Sequence, residues 1–387
     1  MTPADLAGPG LLAPDHGGHS LGEVLPAVSA VLGADLPGWA ADARAAQRRF
    51  GLPSTDRVCV VLVDGLGLAQ LRERAGHAAF LRGRLGDTLE LVCGYPSTTA
   101  ASMGLLGTGR AAGRTGLAGY TVRNPRTGGL ANLVSWEGAD VPEVWQREPA
   151  LTRLLAEAGV RVTSVGPGLF RGSGLTRAAL GGGTYVVAES LADRVDQTLR
   201  ALREPGLVYL YWGDVDKVGH QHGWRSPEWG DALSELDREL GRLARGKPGS
   251  ALLLVTADHG QMEVDAALLV DVAAEPALAE DVALVAGEPR AAYAYLSDPG
   301  AVEAAAARWR ERLDGLALVL TRDEAVAAGW FGEVRPDVLP VLGDLVVAAL
   351  GDAGVADSRT QTAHSMQLRG MHGSLTPGEM LVPLVVV

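Results

Sequence analysis

The stretch Val58-Cys59-Val60-Val61-Leu62-Val63-Asp64-Gly65 decides the fold. Its apolar run shows no alternation with polar residues, the pattern of a strand buried on both faces, as in a parallel sheet covered by helices. The run stops at a carboxylate and a glycine, where a strand hands over to a loop. Three further runs have the same character: LVYLY at 207–211, ALLLVT at 251–256 and LVPLVVV at 381–387. VRVTSV at 160–165 and YVVA at 185–188 are additional candidate strands. Between the runs lie helical patterns. At 226–245, Ser226 stands as N-cap and Pro227 as first helical residue, Leu233, Leu236, Leu240 and Leu243 recur at helical spacing, and Gly246 ends the run. Strand–helix alternation of this kind predicts an α/β fold: a doubly wound, mostly parallel sheet flanked by helices.

Residues 263–340 break the rhythm. A strand-like AAYAYLS precedes an Ala- and Arg-rich helix at 301–313, and a second strand-like LALVL follows. The segment predicts a small α+β insertion, which leaves 1–262 and 341–387 as one catalytic core. A length of 387 residues suits a large domain carrying an insertion, and 47% hydrophobic residues against 21% charged exclude a disordered chain. A net charge of −12 offers no electrostatic footprint for nucleic acid or for an anionic membrane. Cys59 and Cys93 lie in or beside apolar runs and read as core residues. The opening MTPADLAGPGLL lacks a basic stretch followed by an apolar one, and no run approaches the roughly 18 apolar residues of a membrane helix, so a cytoplasmic location is expected.

The chemistry sits at the strand ends. Asp64 ends the first run. Asp214, Asp216 and His220 follow the second, Asp258-His259-Gly260 follows the third, and His372-Gly373 stands ahead of the last. In open α/β sheets, sites form outside the carboxyl ends of the strands. Imidazole and carboxylate converging on one edge suit zinc, manganese or iron. Asp216 and His220, at i and i+4, share one side of a helix, whereas Asp214 and His222 fall off it. His16, His19 and His77 read as solvated or structural. A nucleophile is available in Gly94-Tyr95-Pro96-Ser97-Thr98-Thr99, just ahead of a helix-like AASMGLLGTG. A hydroxyl of Ser97, Thr98 or Thr99 there either caps the helix or reacts, favoured by the helix dipole.

VDGLG, PSTT ahead of a helix ending GTG, DKVGH, ADHG and a late HG, in this order, resemble the alkaline phosphatase superfamily, nearest its type I phosphodiesterase and nucleotide pyrophosphatase branch. The resemblance runs from about Val58 to the C-terminus and leaves 263–340 unmatched. It implies a two-metal hydrolase of phosphoric esters. One ion would be held by Asp216, His220 and His372, and the other by Asp64, Asp258, His259 and the oxygen of Thr99. It also implies that Thr99 forms a covalent phospho- or nucleotidyl-threonine. Zinc suits the ligand types, and manganese fits three carboxylates nearly as well. With two divalent ions, the three aspartates leave the site at +1, so ionising Thr99 neutralises it. The pattern departs at TGLAGYTVRNP, where Tyr120 stands in place of an Asn that would bind the phosphoryl oxygen, with Asn124 nearby but out of register.

The implied substrate is a small phosphoester or nucleotide. Lys217, Arg110 and Arg114 read as surface residues, and without a cationic clamp a diester or pyrophosphate is preferred to a monoester. Phe170, Arg171, Trp212 and Trp224 are candidates to line the leaving-group pocket. A phosphomonoesterase or a phosphonate hydrolase of the same superfamily is the alternative. An inactive metal-binding interaction protein is another, against which the complete residue set counts. Oligomeric state is left open.

Overall fold

The computed structural model describes residues 10–387. Its strands, in chain order, are β1 (Arg57–Val63), β2 (Leu89–Val92), β3 (Val162–Gly166), β4 (Thr184–Val187), β5 (Gly206–Trp212) and β6 (Leu252–Ala257), followed by β7 (Val282–Glu288), β8 (Ala291–Leu296), β9 (Ala317–Thr321), β10 (Leu345–Ala349) and β11 (Leu381–Val386). Short two-stranded ribbons complete the set. The main helices are α1 (Thr99–Thr108), α2 (Leu191–Ala201), α3 (Asp214–His222), α4 (Pro227–Gly246) and α5 (Val302–Arg312).

The central sheet has seven strands in the order β2-β11-β6-β1-β5-β3-β4. β1 pairs in parallel with β5 and β6, and β3 with β4 and β5. Val58 to Val63 are all 0% exposed, as an uninterrupted apolar run requires. Val63 lies opposite both Trp212 and Ala257, so β1, β5 and β6 stop at one edge. On α4 the Ser226 side chain accepts from the Trp229 N–H at 3.1 Å, and the four predicted leucines are buried, each stabilising the fold by roughly 2 kcal/mol.

β11 runs antiparallel to both its neighbours, β2 and β6. Apolar content carries no direction. The chain reaches β11 from a loop already at the carboxyl edge, with no crossover to return it to the opposite edge, so it must run backwards.

β7, β8, β10 and β9 form a four-stranded antiparallel sheet in that order. Its separate core includes Val272, Leu278, Trp309, Leu313 and Val347. β10 lies past residue 340, and a ribbon pairs Leu269–Asp271 with Gly354–Ala356. The small sheet therefore draws on more chain than 263–340, because VVAA at 346–349 reads as a strand without saying which sheet it joins. Arg290, in the turn after β7, makes a fully buried bidentate pair with Glu379, in the helical turn Pro377–Met380 just before β11, at 3.1 and 2.8 Å. Cys59 and Cys93 are buried free thiols. Among the described residues no helix is long and apolar enough to cross a membrane.

Candidate active site

The shared edge of β1 and β6 sets Asp64 and Asp258 side by side, each one residue beyond its strand. Gly65 turns the chain away at φ 70°, and its N–H donates to Asp258 Oδ1 at 3.1 Å. A Cβ on Gly65 would lie 2.8 Å from the Asp216 Cβ, so only glycine lets the two turns approach. His259 Nε2 lies 3.4 Å from Asp64 Oδ1 and 3.6 Å from Asp258 Oδ2, while its Nδ1 meets the Gly260 carbonyl at 3.1 Å.

Helix α3 begins just after β5 and carries Asp216 and His220 one turn apart, with His220 Nε2 3.2 Å from Asp216 Oδ2. His220 Nδ1 meets the Gly370 carbonyl at 2.6 Å. His372 enters from the loop before β11. Its Nδ1 lies 2.9 Å from the Ser97 carbonyl, and its ring stacks on His259 at 3.7 Å between centroids. Each imidazole thus spends Nδ1 on a carbonyl, which leaves Nε2 for the site.

Two sets of potential ligands result: Asp64, Asp258 and His259, and Asp216, His220 and His372, each with its donor atoms within 4.8 Å of one another. Thr99 is the first residue of α1, and its Oγ1 lies 3.2 Å from His259 Nε2. Ser97 instead donates to the Ser374 carbonyl at 2.7 Å and accepts from the Gly373 N–H, which ties the two loops together. Asp64 Oδ1 and Asp258 Oδ2 are buried without a hydrogen-bond partner. Buried carboxylate oxygens without partners are costly, and oxygen and imidazole donors of this kind fit a divalent cation.

The titration behaviour agrees. Burial, with Asp258 and Asp216 nearby, pushes the Asp64 carboxyl well above the usual range, and burial also raises Asp258. Burial would raise Asp216 too, but His220 holds it well below. Against its own burial, His220 is pushed up to about 9 by Asp216. Burial and His259 hold His372 well below the ordinary imidazole range.

Three side chains unpredicted by the sequence complete the surroundings. Tyr211 donates its hydroxyl to Asp64 Oδ2 at 2.6 Å. Gln261 donates to Asp216 Oδ1 and, at 3.0 Å, to its carbonyl. Glu288, from the small sheet, places Oε2 3.3 Å from His372 Nδ1. Gln261 directly follows ADHG, and Tyr211 ends the apolar run five residues before DKVGH, so both stand near the motifs that carry the aspartates they meet. Glu288 carries no local signal.

A cleft of about 1190 Å³ opens over the two sets, walled by Tyr120, Leu130, Leu169, Phe170 and Lys217 among others. Of the four candidate pocket residues only Phe170 lines it; Arg171, Trp212 and Trp224 do not. Trp212 is buried beneath the Arg194 guanidinium at 4.8 Å, and Trp224 is buried under Arg225 at 4.1 Å, so both indoles serve packing. Tyr120 borders the cleft and is 44% exposed. Asn124 is committed elsewhere, donating to the Gly138 carbonyl and accepting from the Arg126 N–H, both at 2.9 Å. Asp214 borders the cleft outside both sets, and His222 is exposed. Arg114 pairs with Glu148 and Glu333, and Arg110 covers Trp39, both away from the cleft.

Residues 58–375 match the family model described as type I phosphodiesterase / nucleotide pyrophosphatase. The human ectonucleotide pyrophosphatase/phosphodiesterase family member 5 is 34% identical over 95 residues, which are 22% of this chain and 20% of that protein. The matched segment thus spans about a fifth of that relative. The solved structure of the murine family member 5 in complex with AMP shares the fold at a TM-score of 0.68 and 17% identity, covering 85% of this chain and 87% of that one. Phosphonoacetate hydrolase from Sinorhizobium meliloti, in complex with phosphonoacetate, does so at 0.68 and 23%, covering 86% and 90%.

Proposed function

The chain belongs to the type I phosphodiesterase / nucleotide pyrophosphatase family, and we propose that it hydrolyses phosphodiesters or pyrophosphates through Thr99 and a pair of divalent cations, zinc by donor type. The observation that carries this reading is Thr99 Oγ1 at the N-terminus of α1, 3.2 Å from His259 Nε2 and beside both carboxylate–imidazole sets. Asp64, Asp258 and His259, with the oxygen of Thr99, would hold one cation, and Asp216, His220 and His372 the other. Bound there, the cations supply Lewis-acid stabilisation of phosphoryl charge and lower the pKa of a hydroxyl or a water.

In the first displacement Thr99 Oγ1 gives up its proton and bonds to phosphorus. The bond to the leaving oxygen breaks, and that oxygen takes up a proton from solvent. The backbone N–H groups opening α1 and the helix dipole favour the negative charge on the hydroxyl. In the second displacement water attacks phosphorus, the Oγ1–phosphorus bond breaks, and Thr99 recovers its proton. Two in-line steps give net retention at phosphorus.

The cleft favours a substrate with few negative charges. Arg194 borders it, but its guanidinium is spent on the carbonyls of Ala188, Glu189 and Tyr211. Lys217 is the other cation on the rim. AMP in the murine relative suits a nucleotide-sized ligand, with Tyr120 as hydrogen-bond donor on the phosphoryl side.

The test is elemental analysis of the purified protein beside turnover of bis-p-nitrophenyl phosphate, p-nitrophenyl phosphate and phosphonoacetate by wild type and Thr99→Ala. Two transition-metal ions per chain are expected, with the diester fastest and the variant slower by about 10⁴-fold. Metal-independent turnover, or a variant as active as wild type, overturns the reading. Phosphonoacetate as fastest substrate moves the chain to the phosphonate hydrolases.

A further inference from the structure

The two ligand sets are unequal in charge. The set of Asp64, Asp258 and His259 holds two carboxylates; the set of Asp216, His220 and His372 holds one. A second carboxyl group reaches this set from another sheet. Glu288 ends β7, is 8% exposed and borders the cleft. Its Oε2 lies 3.3 Å from His372 Nδ1, the nitrogen already 2.9 Å from the Ser97 carbonyl, and its Oε1 is buried without a partner. We infer that Glu288 is a positioning residue for His372, and through it for the cation of the Asp216, His220 and His372 set; this rests on the two-cation reading above.

The loop is built to receive it. Gly373 has φ 131°, and a Cβ there would come within 2.9 Å of Glu288 Cγ, so a glycine beside His372 is what admits the carboxylate. Two residues after Glu288, Arg290 grips Glu379, whose Oε1 also accepts from the Ser374 N–H at 3.0 Å. The turn after β7 therefore holds the His372 loop at two points, one of them on the imidazole. A carboxylate on Nδ1–H fixes the tautomer that presents Nε2, orients the ring and raises the basicity of the ligating nitrogen.

The test titrates zinc into metal-stripped full-length wild type, Glu288→Gln and Glu288→Asp in competition with a chromophoric chelator, with Tm of each stripped protein alongside. In Glu288→Gln one of two zinc equivalents is expected to weaken by about tenfold, the low end of the range for such partners because the Ser97 carbonyl remains. The other equivalent holds its wild-type affinity, Tm is unchanged, and Glu288→Asp lies between wild type and the Gln variant. Both equivalents binding as in wild type overturn the inference, as does equal weakening of both with a fall in Tm, which marks a structural role alone. Should the Gln variant fail to fold, the Asp variant carries the same comparison. A wild-type chain binding fewer than two equivalents overturns the two-cation reading itself, an outcome separate from any variant.

Discussion

The two ligand sets stand a few ångströms apart and are built in opposite ways. Asp64, Asp258 and His259 are all buried and grow directly from adjacent strands of the sheet. Asp216 and His220 are half-buried on a helix, and His372 comes from a loop. The first set crowds two carboxylates on one imidazole, and burial with Asp258 close by drives the Asp64 carboxyl up. In the second, Asp216 and His220 satisfy each other as an ion pair. Without a cation, then, the first set limits its charge by keeping a proton among its buried carboxyls, and the second by pairing Asp216 with His220. Both sets must surrender a proton to take a cation, the first from a buried carboxyl and the second from His220.

Ligand deletions should separate the sets most widely. Asp64→Ala is expected to lower diester turnover by about 10⁴-fold, and His220→Ala by about 10²-fold, because Asp64 belongs to the set beside the Thr99 oxygen and His220 does not. Steady-state kinetics at saturating zinc measures both, and equal losses would mean that the two sets are equivalent.

Removing the metal should expose the charge difference as a pH effect. The Asp64 pKa is raised in the fold, so the native state binds the proton more tightly than the unfolded chain does. Stability present below the ordinary carboxylate pKa of about 4 is lost as pH rises toward the folded value. His220, raised to about 9, adds a loss in the same direction above its ordinary value of about 6.5. Chelated protein should therefore lose Tm toward alkaline pH, with the loss from Asp64 in the weakly acidic range partly offset by His372, whose depressed pKa acts in the opposite direction, and Asp64→Asn should remove the Asp64 part. Thermal melts with and without chelator decide it; coincident curves would mean that no cation neutralises these groups.

The smallest effect should come from the contact between the sets. Gly65→Ala forces a side chain into a left-handed turn against Asp216, at a cost of about 2 kcal/mol. Asp216 is the atom group that must give, so the variant should loosen the second set more than the first. Differential scanning calorimetry with zinc titration would show it.

Much of this was legible because buried parallel strands write themselves as unbroken apolar runs, and the residue after each run marks the sheet edge. Asp64 and Asp258 were located at that edge by this rule, and Asp216 and His220 by the rule together with their i, i+4 spacing. Thr99 and His372 needed the order of motifs, since loops bear no periodicity. Trp212 and Trp224 misled because a large aromatic near a motif packs as readily as it lines a cleft. Glu288 was invisible: its role depends on a second sheet folding back onto the first, and nothing within several residues of it records that. The direction of β11 and the membership of β10 were hidden for the same reason, being set by where the chain arrives.

β11 has a consequence for the order of assembly on the ribosome. Among the described residues it is the only strand of the central sheet paired with β2, and it is one of the two neighbours of β6. Until residues 381–386 have emerged, β6 waits with one apolar edge unpaired, the kind of edge that recruits chaperones or other nascent chains. His372 is made only nine residues before β11 begins, so closure of the sheet and completion of the second ligand set fall in one late step. A chain stopped before residue 381 is thus expected to lose solubility and metal capacity together, which fractionation of such truncations with zinc analysis would reveal.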